Sequence, residues 1–208
     1  MTLASGVLDT AALDRVVRER IDALLEERLE AKLAELKAAK TPSMTIIATK
    51  GTLDWAYPPF ILASTAAALG WDVSVFFTFY GLELLKKNLK KLKVSPLGNP
   101  AMPMKMPVGP AWFKSIRWNI PNAVQSLIPA YEAFATRMMR KTIRSKGIAE
   151  IGELRSLCVE AGVNLIGCQM TVDLFGYRRS DFIPEVKDYV GAATFLPMAK
   201  DADVSLFI

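Results

Sequence analysis

With 208 residues, half of them hydrophobic, under a quarter charged and a net charge of +5, the chain can bury one α/β domain of ordinary size plus an extension and is no disordered polymer. It has no histidine, which excludes Ser-His-Asp and Cys-His catalysis, histidine metal sites and proximal-histidine haem. Its two cysteines, ten positions apart, give neither a metal-binding spacing nor a disulfide framework and fit a reducing, cytoplasmic compartment.

Residues 9–39 read as one long helix, with Asp9 or Thr10 as its cap. Leu13, Val17, Ile21, Leu24, Leu25, Leu29, Leu33 and Leu36 recur mostly three or four apart, and Glu, Arg and Lys fill the other faces. Two readings stay open here: an amphipathic helix lying on its own domain, or a coiled-coil arm that builds a homo-oligomer. The seam is not a clean heptad, so the number of strands is not fixed. Thr41-Pro42-Ser43 ends the helix and divides residues 1–40 from an α/β domain over 41–208. The N-terminus is charged and lacks a secretory signal pattern.

Residues 44–50 form the first expected strand, followed by Gly51-Thr52 and an alanine-rich helix over 53–69, broken early by Pro58-Pro59 and closed by Gly70. The nearly continuous apolar run 71–79 is a second strand, buried on both faces, so the segment makes a βαβ unit with a right-handed crossover. A short helix is expected from Gly81 to about Lys93. Residues 94–122 then break the pattern: six prolines sit among Met102, Met104, Met106, Trp112, Phe113 and Trp118. That stretch is too irregular for long elements and too apolar for a solvated linker. The whole insertion, at about 94–146, is expected over the sheet's carboxyl edge, against a partner subunit or on a membrane. Within it a helix resumes over about 123–145, interrupted near Pro129.

A helix over 148–161 carries Ile151, Leu154, Leu157 and Cys158 at helical spacing, with Gly162 at its end. A buried strand over 163–167 leads to Cys168, a short helix over 169–175 stops at Gly176, and 180–185 starts another helical turn. Strands over 191–196 and 204–208, separated by a helical segment at about 197–202, complete the sheet. No uninterrupted apolar stretch reaches the roughly 18–20 residues that span a bilayer, which leaves peripheral contact as the membrane alternative.

Cys168 falls where an apolar strand gives way to a helix, the end of an open α/β sheet at which chemistry gathers. Unpaired amides of Gln169, Met170 and Thr171 would favour its thiolate, and Gly167 allows close backbone approach. The bland alternative is a cysteine that fills the core. Cys158, on the apolar face of its helix, reads foremost as a core residue and secondarily as a relay thiol. Gly51 and Thr52 follow the first strand without a GxGxxG or Walker pattern, so tight backbone approach beside the Cys168 loop is preferred to nucleotide binding. Lys50 either supports the thiolate electrostatically or is solvated. Met102-Pro103-Met104-Lys105-Met106 alternates soft Cu(I) ligands, yet without a neighbouring histidine or cysteine it reads as adaptable apolar packing rather than a metal site. Basic runs over 86–93 and 137–144 read as solvated helix faces, with an acidic membrane surface or acidic protein partner as the alternative. No nucleic-acid module is recognisable, and no nucleic acid is expected as partner.

The strand and loop over 44–54, the basic Ala135-Thr136-Arg137-Met138-Met139-Arg140-Lys141 and, above all, Gly162-Val163-Asn164-Leu165-Ile166-Gly167-Cys168-Gln169-Met170-Thr171-Val172-Asp173-Leu174-Phe175-Gly176-Tyr177 carry a resemblance. From about Met44 onward the chain resembles the DsrE/DsrF/DsrH-like superfamily of sulfur-relay proteins, and within it the DsrE-like subfamily with a central insertion. The resemblance implies a three-layer α/β/α domain with a mostly parallel sheet of about five strands, assembled into a homo-oligomer. It implies sulfane sulfur carried as a persulfide on Cys168, with a rhodanese-like or TusA-like sulfur carrier as partner and membrane association for some members. Gly167 stands where alanine is more usual, and Tyr177 replaces a smaller apolar residue. The expectation is a cytoplasmic sulfurtransferase or sulfur carrier that needs no metal or organic cofactor. The competing reading is a non-catalytic oligomeric or membrane-docking protein in which Cys168 is structural.

Overall fold

The computed structural model describes residues 10–95, 104–105, 109–118 and 129–208. Two units are distinct, one ending at Thr41 and the other running from Pro42 to Ile208. The first contains helix α1, Thr10–Ala39. On it Leu13, Val17, Ile21, Leu25, Leu29 and Leu33 recur every fourth residue, and all six are exposed. Ion pairs such as Lys32–Glu35 at 2.8 Å support the polar faces.

In the second unit the elements are β1 (Ser43–Ala48), α2 (Leu53–Ala68), β2 (Asp72–Phe77), β3 (Met104–Lys105), α3 (Ala111–Ser115), β4 (Arg117–Trp118), α4 (Tyr131–Ser145) and α5 (Ile151–Glu160). They continue with β5 (Asn164–Cys168), α6 (Gln169–Leu174), β6 (Asp188–Val190), α7 (Ala192–Asp201) and β7 (Val204–Phe207). Five strands form one sheet in the order β6-β5-β2-β1-β7, every pair parallel. β3 and β4 form a separate antiparallel pair.

The strand order explains the layering. From β1 through β2 and β5 to β6 the chain moves one way across the sheet, and right-handed crossovers keep those connections on one face. There α2 and α5 cover a core of Val73, Val75, Phe77 and Leu165 with Phe60, Ala63, Leu154 and Cys158. The connection from β6 to β7 returns past the whole sheet, which puts α7 on the opposite face. Its Phe195 is 1 % exposed and stacks on Phe76 at 4.6 Å, closing a second, smaller core with Ile166 and Cys168. Helices on both faces of a parallel sheet of five strands make the three-layer α/β/α fold that the resemblance implied.

Local expectations fail in three places. α2 is not broken by Pro58-Pro59: the helix runs on through both, because Pro59 and Phe60 lie on its buried face and packing there offsets two missing hydrogen bonds. Residues 81–93 are not an α-helix but two 3₁₀ segments, Phe79–Leu85 and Leu89–Lys91. Buried Leu82/Leu85 and Leu89/Leu92 repeat every third residue, the 3₁₀ period. Arg155 Nη1 also occupies the carbonyls of Leu84 and Lys86, at 3.0 and 2.7 Å. Residues 191–196 are not a strand: Gly191 caps α7, and the edge strand is β6 just before it. Residues 180–185 reduce to one 3₁₀ turn, Arg179–Asp181. The resumed helix of the insertion is α4, which begins at Tyr131 after Ala130, whose φ is 61°. Its expected start at 123, the side chains of Met102, Met104 and Met106, and the placement of the insertion as a whole lie outside the described residues. Among the described residues, no helix is long and apolar enough to cross a membrane.

Candidate functional site

β5 is flanked by β2 and β6, and Leu165, Ile166, Gly167 and Cys168 are all buried. Alternation along the strand turns Ile166 and Cys168 toward the α7 face, where Phe76 and Phe195 form the floor beneath the thiol. At Cys168 the chain turns from extended backbone (φ −77°, ψ 111°) straight into α6. In the adjacent parallel strand Phe77 lies beside Gly167, so the next residues, Thr78 and Cys168, emerge side by side from the sheet's carboxyl edge.

Polar groups of both loops act on the sulfur. Burial pushes the Cys168 thiol up, but donors outweigh it: the Thr171 and Thr78 hydroxyls, then the Thr171 and Met170 amides, hold it below its ordinary range. Thr171 is fully buried. Its Oγ1 accepts from the Phe79 N–H at 3.2 Å and lies 3.2 Å from Thr78 Oγ1. Phe79 makes that bond with φ 49°, a left-handed conformation costly for a bulky residue. Strain therefore sits one residue from a group that holds the thiol. Cys168 itself is only 3 % exposed, although fewer atoms crowd it than crowd Cys158. Around it Phe79, Tyr80, Met170 and Leu174 leave large apolar surfaces open to solvent.

Of the expected donors, Met170 and Thr171 contribute their amides and Gln169 does not. The Gln169 side chain instead donates to Asp173 Oδ1 at 2.8 Å and accepts from Arg179 at 3.5 Å. Gly167 packs against the Tyr189 ring: a Cβ there would stand 2.8 Å from Tyr189 Cδ1, so an alanine would have to displace that ring. Lys50, Gly51 and Thr52 leave the sheet from β1, and β2 stands between that strand and β5. Lys50 Nζ rests 3.1 Å from the centre of the Trp55 ring. Gly51 does make a tight backbone approach, but to the turn after β2: a Cβ would lie 2.1 Å from the Tyr80 carbonyl oxygen. The Thr52 hydroxyl is buried without a hydrogen-bond partner among the described residues. Tyr177 has a definite task, since its hydroxyl donates to Glu83 Oε1 at 2.6 Å while Lys86 lies 4.1 Å over its ring.

Thr78 was invisible to a reading of the sequence around Cys168. The one available signal was strand alignment, because two adjacent parallel strands put the residue after Phe77 level with the residue after Gly167. Cys158 is different in kind. It is fully buried, its Sγ donates to the Phe60 carbonyl at 3.4 Å, and burial pushes its thiol up to about 11. Both cysteines are free.

Residues 40–207 match the model of the DsrE/DsrF/DrsH-like family. The chain is 53 % identical over 165 residues to the sulfur carrier protein DsrE2 of Allochromatium vinosum, covering 79 % of this chain and 97 % of that protein. It is 28 % identical over 170 residues to the uncharacterized protein YrkE of Bacillus subtilis, covering 81 % of this chain and 98 % of that protein.

Proposed function

The chain belongs to the DsrE/DsrF/DrsH-like family, and from that premise we propose that it is a sulfur-relay protein carrying sulfane sulfur as a persulfide on Cys168. The observation that carries this reading is the convergence of two hydroxyls and two amides on one thiol, at the carboxyl edge of a parallel sheet. Donors of that kind stabilise a thiolate, the form that attacks sulfur. On loading, the Cys168 thiolate attacks the outer sulfur of a donor persulfide. A new S–S bond forms, the donor's S–S bond breaks, and the donor leaves as a thiolate with the bonding electron pair. On unloading, an acceptor thiolate attacks the outer sulfur and Cys168 leaves as the thiolate. Neither step changes the net oxidation state of the pair. A thiol held below its ordinary range serves both directions, as a more populated nucleophile and as a better leaving group. No base is required in the site, which suits a chain without histidine. The partner in this scheme is a rhodanese-like or TusA-like carrier, and the compartment is cytoplasmic and reducing.

The burial of Cys168 favours a second reading, in which the cysteine is structural and the protein acts through its surfaces. Intact-mass analysis after incubation with polysulfide separates the two. The relay reading expects one added sulfur on the wild type and none on Cys168→Ser. Loading that persists in Cys168→Ser, or a wild type that never loads, supports the second.

A further inference from the structure

Two basic stretches far apart in the sequence meet in space. Lys90, Lys91 and Lys93, around the second 3₁₀ segment, form one wall of an open groove of about 690 Å³. Arg137, Arg140, Lys141 and Arg144 on α4 form the other, recurring at the three- and four-residue spacing that gathers side chains on one helix face. Buried Leu92 and Thr136 lie between the walls, and Thr136 Oγ1 ties them together by accepting from the Val94 N–H at 2.9 Å. Some of this charge is engaged. Lys93 pairs with Glu132 at 2.8 Å and Arg144 with Glu150 at 2.6 Å. Arg140 Nη2 points at the carbonyls of Leu89, Lys90 and Leu92 at 3.2–3.4 Å, and so holds the lysine wall in place. Among the described residues, Lys90, Lys91, Arg137 and Lys141 have no carboxylate partner.

We infer that this groove is the binding site for an acidic, carboxylate-rich segment of a partner protein. Four unpaired cations facing one another across a concave surface repel, and an anion laid between them removes that repulsion. The charges follow two turns of α4, a span of about 10 Å, which fits an extended segment better than a single small anion. Guanidinium groups bind carboxylates through paired N–H···O contacts, and the lysine and arginine stems give such a segment an apolar bed. Single-stranded nucleic acid would call for aromatic platforms, and no aromatic side chain lines the groove among the described residues. The inference does not depend on the sulfur chemistry of Cys168.

Fluorescence anisotropy with a labelled oligoglutamate peptide and the full chain tests it. Binding is expected near physiological salt and is expected to fade at high salt. Arg137→Glu with Lys141→Glu, both exposed, should weaken it about tenfold or more. Lys187→Glu with Lys200→Glu, an equal change of charge elsewhere on the surface, should leave it within about twofold. Cys168→Ser should bind like the wild type, and the circular dichroism spectrum and thermal midpoint of the Arg137/Lys141 variant should match those of the wild type, which shows that the variant is folded. Absence of peptide binding overturns the inference, as does equal weakening in both charge-reversed pairs. Tighter binding of labelled oligoadenylate or anionic vesicles through Arg137 and Lys141 overturns it as well.

Discussion

At the scale of single residues, the two thiols of this chain are driven in opposite directions by their surroundings. Thr78→Val and Thr171→Val each remove one hydroxyl donor from Cys168 while nearly keeping its shape. A hydrogen bond to a charged group is worth about 1.5–3 kcal/mol, so each variant should slow alkylation of Cys168 at neutral pH roughly tenfold or more. The pH midpoint of alkylation should also move up. An unchanged midpoint would show that the hydroxyls do not act on the sulfur. For Cys158 the effect appears in stability. The unfolded chain lets this thiol ionise near 9.0, whereas the folded protein keeps it protonated up to about 11. Its contribution is thus fully present below about pH 9 and is lost as the pH rises toward 11, on the order of 2 kcal/mol in all. Urea titrations between about pH 8 and pH 11 should show a steeper decline for the wild type than for Cys158→Ala, even though the variant starts less stable. Equal slopes would remove Cys158 from the alkaline transition. Cys168 and its Met170 and Thr171 amides were legible because they are consecutive in the chain. Thr78 was not, since its role comes from a strand register that no local pattern encodes.

At the scale of elements, α1 presents the clearest unpartnered surface. Six of the nine large apolar residues exposed on it among the described residues step by four from Leu13 to Leu33, longer than the 3.6-residue turn, so that stripe winds around the helix instead of running straight along it. A repeat longer than 3.6 winds in the right-handed sense, opposite to a heptad seam. We expect the arm to join copies of the chain: deleting residues 1–40 should lower the number of copies per particle measured by light scattering, and an unchanged number would assign the arm another task. The long helix, the first two strands and their crossover were legible from periodicity and turn residues. The second half of α7 was legible as a helical segment and the first half was not, because Ala192-Ala193-Thr194-Phe195-Leu196 suits a strand as well as a helix, and packing of Phe195 on Phe76 decides between them. The same competition explains α2, where buried Pro59 outweighs its poor helix propensity. The 3₁₀ segments take donors from distant helices, Arg155 at the end of the first and Arg140 along the second.

At the scale of the whole α/β unit, the strand order β6-β5-β2-β1-β7 joins near and far parts of the chain in a graded way. β1 and β2 pair across a short crossover, whereas Thr78 meets Thr171 across 93 residues and Ser43 meets Asp203 across 160. The entropic cost of closing a loop rises with its length, and contacts between distant residues slow folding. We therefore expect the β1-α2-β2 unit to form first, β5 to dock onto it later and β7 to close the far edge last, an order that hydrogen-exchange labelling during refolding would check. This order has a consequence for the thiol. Until β5 lies beside β2, Cys168 has no Thr78, no buried floor and no strained Phe79 amide behind Thr171, and it reacts as any cysteine in a loose chain would. The lowered thiol thus comes into being partway through folding, at the step that joins two halves of the chain, and a nascent molecule holds no such thiolate before that step is complete.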